Sequence, residues 1–490
     1  MKKLLLIIFI TGIVFSCNDR LEDINTPDKR ASEVPAEPLF ANGVREMFDL
    51  MTNTDVNINV FRLYAQYWAQ TTYPDESQYN MVNRFIPDNF WTNAYRDVLM
   101  DLDVARQRVE ETAEALDLTE AQKNNQLAII DVCKVYMFSI LVDAFGAVPY
   151  SEALNPDILT PKYDAGVDVY NSIIETLNQA IGMMDVESLG FSQNQDIVYP
   201  EMDEDNPESV SHWKKFANTL KLRLAINISD VDQGKASVMI NEALASGVFT
   251  SSEDNAAIPY KLSPPNTNPV WEDLVNSGRH DFVVSNTLID LMDSTSDPRL
   301  SVYAAPTEDE DGNPVFIGGE YGSANAYASY SHVGTLFHQP DLEGILLDYT
   351  SIQFWLAEAA AKGIAVPLTA QEYYENGIKA SLNYWQITDQ AVVDAYMARP
   401  EVVYDPVLWK QKIGIQEWLS QYNKPFEGWT TWRRLDFSGF NVPEGLEESD
   451  IPRRFIFPVE EATLNPSASQ AAAQMIGGDN VQSKVFWDVN

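Results

Sequence analysis

The chain has 490 residues, of which 45% are hydrophobic and 21% charged, the balance of a folded globular protein rather than a disordered or fibrous one. Its 72 acidic residues against 33 Lys and Arg give a net charge of −39. A surface this acidic repels nucleic acid, whose binding needs cations to displace condensed counterions, and it disfavours adsorption on anionic lipid.

The chain opens with Lys2 and Lys3, an apolar run over 4–15, then Ser16 and Cys17. A membrane-spanning helix needs about 20 apolar residues, so this shorter run reads as a secretory signal. A small residue followed by cysteine is the order of a lipoprotein signal. The expectation is removal of residues 1–16 and a diacylglyceryl thioether on Cys17. Each buried acyl CH₂ contributes about 0.8 kcal/mol, and stable anchoring takes more than one acyl chain. Residues 18–35 are polar, with Pro27 and Pro35 and no periodicity, which predicts a flexible tether carrying one domain over 36–490.

Helical spacing then dominates. In 36–51 the apolar residues Leu39, Val44, Met47, Phe48 and Met51 recur at helical intervals, and in 59–72 Phe61, Tyr64, Ala65 and Trp68 do the same. A long amphipathic segment covers 90–116. Thr119 and Gln122 form a capping box, opening a helix that runs to about 145 and stops at Gly146 and Pro149. Two long helices joined by a short turn make an antiparallel hairpin. Further helices are predicted over 164–184, 211–230 and 235–246. Cys133 falls on an apolar stripe and reads as a small buried hydrophobe.

From about 250 to 343 Gly, Pro, Asn and Ser dominate. A stretch this long predicts ordered irregular structure with functional surface. Helices and a tail return over 344–490, beginning with an alanine-rich segment at 347–362 and a second capping box from Thr369 to Glu372. Helices are also expected over 407–422 and 428–437, and one extended piece at 454–457. The pairs recur with small residues, Ala357, Ala360 and Ala361, where a neighbour must approach closely. Their lengths are unequal, so the prediction is an all-α fold of TPR-like helix pairs with a loop-rich region and few strands, not a regular solenoid.

Catalytic and metal motifs are absent from the sequence. The histidines His212, His280, His332 and His338 are scattered, without HExxH or Cys/His metal spacing. There is no G-x-S-x-G elbow, and the Gly318, Gly319 and Gly322 cluster reads as turns. Carboxylate pairs suited to glycoside hydrolysis arise by chance among 72 acids. The acidic segments 308–313 and 201–208 read as solvated turns, with a calcium site as the minor alternative, because the first lacks the alternating ligands of an EF-hand loop. No cofactor is expected and the protein is read as a non-enzyme.

Loop aromatics carry more. Tyr73 and Tyr79 flank Pro74 and Asp75, Trp271 follows Pro269, and Tyr321, Tyr327 and Tyr330 lie in the Gly-rich region. Ring faces stack on the C–H faces of sugars while amides and carboxylates bond the hydroxyls, although packing under the loop is an equal alternative for each ring. The candidate ligand-binding set is Tyr73, Asp75, Tyr79, Trp271, Arg279 and Tyr327. The same groups suit peptides almost as well.

Several stretches together resemble the SusD/RagB family of nutrient-binding outer-membrane lipoproteins of Bacteroidetes. They are Cys17 followed by Asp19, Glu22 and Asp23; the segment 59–72; Arg279 within 277–281; Asp297-Pro298-Arg299; the helix at 354–363; Trp429 to Arg434; Arg453 and Arg454; Gly477-Gly478-Asp479; and Phe486-Trp487-Asp488. The resemblance implies TPR-like helices, a glycan or similar nutrient as ligand, and a SusC-like TonB-dependent barrel as partner. It implies attachment to the outer membrane through the lipid, facing outward. No ligand residue carries over by motif. A lipid-anchored hydrolase and a structural partner without a ligand are the rival readings.

Overall fold

The computed structural model describes residues 34–203 and 207–489. Cys17, the signal and the tether up to residue 33 lie outside the described residues, as does the centre of the 201–208 loop.

The fold is built from helix pairs, and the sequence shows why. Helix α1 (Ala36–Thr52) presents Phe40, Val44, Met47, Phe48 and Met51 as one buried stripe. After the short turn α2 (Phe61–Tyr64), α3 (Ile86–Thr92) passes through a π-helical stretch, Asn93–Leu99, into α4 (Met100–Thr112). Helix α5 (Glu120–Phe145) begins at the expected capping box, where the Gln122 N–H donates to the Thr119 hydroxyl at 3.1 Å and the Thr119 N–H donates to Gln122 Oε1 at 3.0 Å. Its C-terminal half is apolar around nearly its whole circumference, which marks a helix enclosed by others.

Helices α6 (Gly166–Met183), α7 (Ser209–Asn227) and α8 (Gln233–Ser246) complete the first half. In the second half α9 (Tyr349–Ala361) pairs with α10 (Ala370–Tyr384), and α11 (Trp409–Ser420) with α12 (Pro425–Leu435). In the first half α1 pairs with α4, α5 with α6 and α7 with α8, while α9 bridges to α7 and α11. The TPR-like helical fold expected from the sequence is what forms, and its apolar residues make one connected core.

One segment departs from expectation, and the loop-rich region holds the few short strands expected. Residues 59–72 are not one helix: after α2 the chain turns at Gln66 (φ 55°) into strand β1 (Trp68–Gln70). Burial on every side explains this, because residues 59–71 are all buried, so apolar residues at helical intervals here do not mark one face. The loop-rich region holds short strands: β2 (Ala256–Ile258), β3 (Phe282–Val284), β4 (Ala304–Ala305), β5 (Thr307–Glu308), β6 (Pro314–Val315), β7 (His332–Val333) and β8 (Gly344–Leu347). They form two-stranded antiparallel ribbons, β1–β3, β2–β8, β4–β7 and β5–β6.

Buried charge ties the halves together. The Asp143 carboxylate on α5 accepts hydrogen bonds from the Tyr170 hydroxyl (2.5 Å), Trp487 Nε1 (2.8 Å), Arg223 Nη2 (2.9 Å) and Asn227 Nδ2 (3.3 Å). Arg223 donates through Nε to Glu427 at 2.8 Å. Nearby, Arg434 pairs with Glu358 and Glu417, each at 2.9 Å. The Arg433 guanidinium lies 3.6 Å from the Trp429 ring centroid and 5.0 Å from that of Trp487. The polar residues Thr430, Thr431, Arg433, Arg434, Arg454 and Asp488 of the 429–434, 453–454 and 486–488 stretches are interior, and Arg453 is half-buried.

Removing one partner of a buried pair leaves an uncompensated charge and costs about 3–5 kcal/mol. Arg223→Met, which strands both Asp143 and Glu427, is expected to destabilise by that amount. In urea titrations the midpoint should fall with little change in slope; a loss under about 1 kcal/mol would show the cluster to be energetically idle.

Candidate functional site

The site grows from the end of the β1–β3 ribbon, whose register pairs Trp68 with Val284 and Gln70 with Phe282. The pairing continues one residue further. The Thr71 N–H donates to Asp281 O at 2.9 Å and its hydroxyl to His280 O at 2.5 Å, so residues 280 and 281 are held as firmly as a strand.

Gln70 organises the loop after β1. Its buried amide donates to Glu76 Oε2 (2.5 Å) and Tyr73 O (3.1 Å), and its oxygen accepts from the Ser77 N–H (3.0 Å) and hydroxyl (2.7 Å). Glu76, fully buried, is also paired with Arg84. These bonds hold a strained loop: Tyr73, Tyr79 and Phe85 have φ of 53°, 67° and 53°. Left-handed backbone at non-glycine residues costs on the order of 1 kcal/mol or more each and persists only where surroundings over-determine it. The strain has a visible result, because Tyr73 stands 68% exposed at the tip.

A third segment joins through Asn325, whose backbone and side-chain N–H groups both donate to Gln70 O, at 3.1 and 2.9 Å. Gln78 reaches it too, donating to Gly322 O at 2.8 Å. This brings Tyr327 against His280, with ring centroids 4.3 Å apart and planes 25° from parallel. His332, on β7, stacks on Tyr327 at 3.8 Å and 14°. Two imidazoles lying near-parallel to Tyr327 with centroids 4.3 and 3.8 Å from its own would overlap on one face, so they cover opposite faces of the tyrosine. The result is a three-ring column in which both faces of Tyr327 are occupied. Tyr327 presents an edge and a hydroxyl; the open stacking face at the solvent end belongs to His280, which is exposed. Arg279 and Asp281, paired at 2.7 Å, flank it.

Of the expected residues, Arg279 and Tyr327 adjoin His280, while Tyr73 and Asp75 lie on the loop that Gln70 braces at the same ribbon end. Tyr79 does not present its ring. It is buried, stacked edge-on against Tyr64 at 5.7 Å, and its hydroxyl accepts from Gln66 at 3.4 Å, so it supports the loop from below. Tyr321 is likewise buried, donating to Leu63 O at 2.8 Å. Trp271 is half-buried on the turn Pro269–Trp271, which packs against the 3₁₀ turn Thr335–His338. His280 and His332 were missed, since nothing in their sequence neighbourhoods announces a partner; only the concentration of three of the four histidines in the loop-rich region hinted at them.

Electrostatically the site is mixed. Burial, then the charge of His332, lowers the pKa of His338. Among the described residues no group of three or more His, Cys, Asp or Glu is placed to hold a metal ion. In the acidic 308–313 turn, Asp309 accepts from the backbone of Asp311 and Asn313 and from the Asn313 amide. Stacking faces, a paired guanidinium and carboxylates equip the surface to hold a neutral polar ligand by C–H contacts and hydrogen bonds.

Asp273 lies in the next turn, Glu272–Asn276, and accepts from the Thr54 hydroxyl at 2.5 Å. Burial, with lesser repulsion from Asp55 and Asp281, pushes its carboxyl up to about 6. The unfolded value is about 3.9. A raised carboxyl favours the folded state fully below the unfolded value, and that contribution is lost as pH rises through about 6. Asp273→Asn keeps the acceptor for Thr54 and is expected to lose less stability than wild type between pH 4.5 and 7.5. Urea midpoints at the two pH values check this; equal losses would refute it.

The profile of the SusD-like family, described as "Starch-binding associating with outer membrane", matches residues 28–458. No curated protein sequence matches the chain. Among solved structures, one titled a chitin-binding protein superposes with a TM-score of 0.78 at 26% identity, covering 93% of this chain and 100% of its own. A chitin-binding SusD homologue from Flavobacterium johnsoniae gives 0.75 at 22% identity, covering 92% and 99%. A SusD homologue from Bacteroides uniformis gives 0.74 at 22%, again covering 92% and 99%. Among the described residues no helix is long and apolar enough to cross a membrane. By the extent of the profile match and the shared helical architecture, this chain belongs to the SusD-like family of glycan-binding proteins associated with the outer membrane.

Proposed function

We propose that the protein is a non-enzymatic lipoprotein, held by Cys17 at the outer face of the outer membrane, that captures an oligosaccharide and passes it to a SusC-like TonB-dependent transporter. The observation that carries the ligand class is the His280–Tyr327–His332 column with the Arg279–Asp281 pair beside His280, and Tyr73 exposed on the loop that Gln70 braces to the same ribbon. A flat stack with hydrogen-bonding groups at its rim complements a sugar, whose ring has apolar faces and a polar perimeter. The relative at 26% identity is titled chitin-binding and the family description is starch-binding, which favours a glucose- or N-acetylglucosamine-type chain. Of these, the chitin type is the better fit, because its amides can pair with both Arg279 and Asp281.

The acidic body suits this role. A charge of −39 keeps it away from anionic lipid, leaving the acyl chains as the only attachment.

Calorimetry with chitohexaose, maltohexaose and a mixed tripeptide tests the ligand. Chitohexaose is expected to bind without turnover, and His280→Ala to weaken it about tenfold, about 1.4 kcal/mol. Flat titrations with every glycan would leave the structural-partner reading. Affinity purification from membranes should recover a large β-barrel protein, and Cys17→Ala should release the body from the membrane.

A further inference from the structure

A second feature of the loop-rich side is not part of the stacked column. Where the β2 segment, the 335–343 segment and the end of α10 meet, a cavity of about 590 Å³ opens to solvent. Leu336, Tyr384 and Trp385 provide its apolar walls, and Gln339, Asn383 and Gln386 lie at its rim.

The walls are fixed in place. Trp385 is buried, packed edge-on against Tyr303 at 5.2 Å and Tyr384 at 4.8 Å, and tilted against Phe337 at 5.8 Å. Tyr384 is anchored by donating its hydroxyl to Glu343 at 2.7 Å. Leu336, by contrast, is 39% exposed on a 3₁₀ turn and offers aliphatic surface directly to the opening. Gln386 holds a left-handed backbone (φ 61°), which ends α10 abruptly and keeps the amide at the cavity edge. The rim amides of Gln339, Asn383 and Gln386 are exposed, and among the described residues none of these three side chains has a hydrogen-bond partner.

Three neutral amides, each able to donate and accept, around aromatic and aliphatic walls match the alternating polar and apolar surface of a neutral saccharide. The acids Asp341 and Glu343 at the same cavity disfavour an anionic ligand. The segment that forms the cavity wall is continuous with the column: His332 ends the stack and Leu336 begins the wall four residues later. The Thr335–His338 turn, which carries Leu336, packs on the turn that carries Trp271. Four to seven residues of chain reach at most about 25 Å, and two ring spacings of 3.8 and 4.3 Å separate His332 from His280, an upper bound that several linked sugar units can bridge.

We propose that this cavity is a second saccharide subsite, which takes a neutral sugar unit of the same chain whose other units contact the His280 column. The proposal rests on the glycan-binding reading above, and gives a single protein two linked contacts on one polymer. Linked contacts raise the affinity of long ligands without altering that of short ones.

Calorimetry with chitotriose and chitohexaose on the full chain tests it, using Asn383→Ala/Gln386→Ala and Leu336→Arg, which alter the rim and block the opening without touching the buried walls. The wild type should bind chitohexaose at least tenfold more tightly than chitotriose. Both variants should lose most of that difference while retaining chitotriose affinity and the unfolding midpoint. Wild-type binding of both ligands with variants indistinguishable from it overturns the second subsite and leaves the column intact. Equal loss for the two ligands in the variants also overturns it, because the cavity would then act through the column. Absence of glycan binding in the wild type instead overturns the reading of function, and this proposal falls with it.

Discussion

The carboxylate of Asp143 is the point on which the architecture depends. It sits fully buried near the end of the longest helix, where an ionised group is tolerated only if every lone pair is met. Partners come from α6, from α7 and from Trp487, and Arg223 extends the cluster to α12. Packing among helices of unequal length is non-directional and could be satisfied in several ways. A buried carboxylate with four named donors is directional, and it fixes which helices meet and at what height. Its guanidinium partner is itself held between charges: Asp143 and Glu427 keep the Arg223 guanidinium protonated against the effect of burial.

The candidate binding face is tied to that frame through a second polar centre. Trp68 at the start of β1 donates to the Tyr422 hydroxyl at 2.8 Å, and Trp418 Nε1 donates to Ala65 O at 2.8 Å, so the ribbon is pinned to α11 and the turn after it. From there Gln70 distributes hydrogen bonds to the Tyr73 loop on one side and to Asn325 on the other. The site is a loop site, but its loops are cross-braced by buried amides, which is how loops can hold a ligand-facing geometry on a helical scaffold.

How much of this was legible in sequence varies with the range of the interaction. Capping boxes at Thr119 and Thr369 are local, complete within four residues, and formed as read. The helix pairs were readable because one-sided apolar stripes need partners. The 59–72 segment was misread because its surroundings are buried on all sides, where periodicity loses meaning. The column is the hardest case: His280, Tyr327 and His332 meet only after two ribbons have paired, and no single stretch contains the information. The same holds for Tyr79, whose place beneath the loop follows from a left-handed turn that sequence does not announce.

The bond between Trp487 and Asp143 spans 344 residues of sequence. A nascent chain that has made α5, α6 and α7 therefore holds an interior carboxylate with an incomplete shell. The cluster therefore ties the last segment of the chain to the first helical half, and its shell of donors is complete only when both are in place.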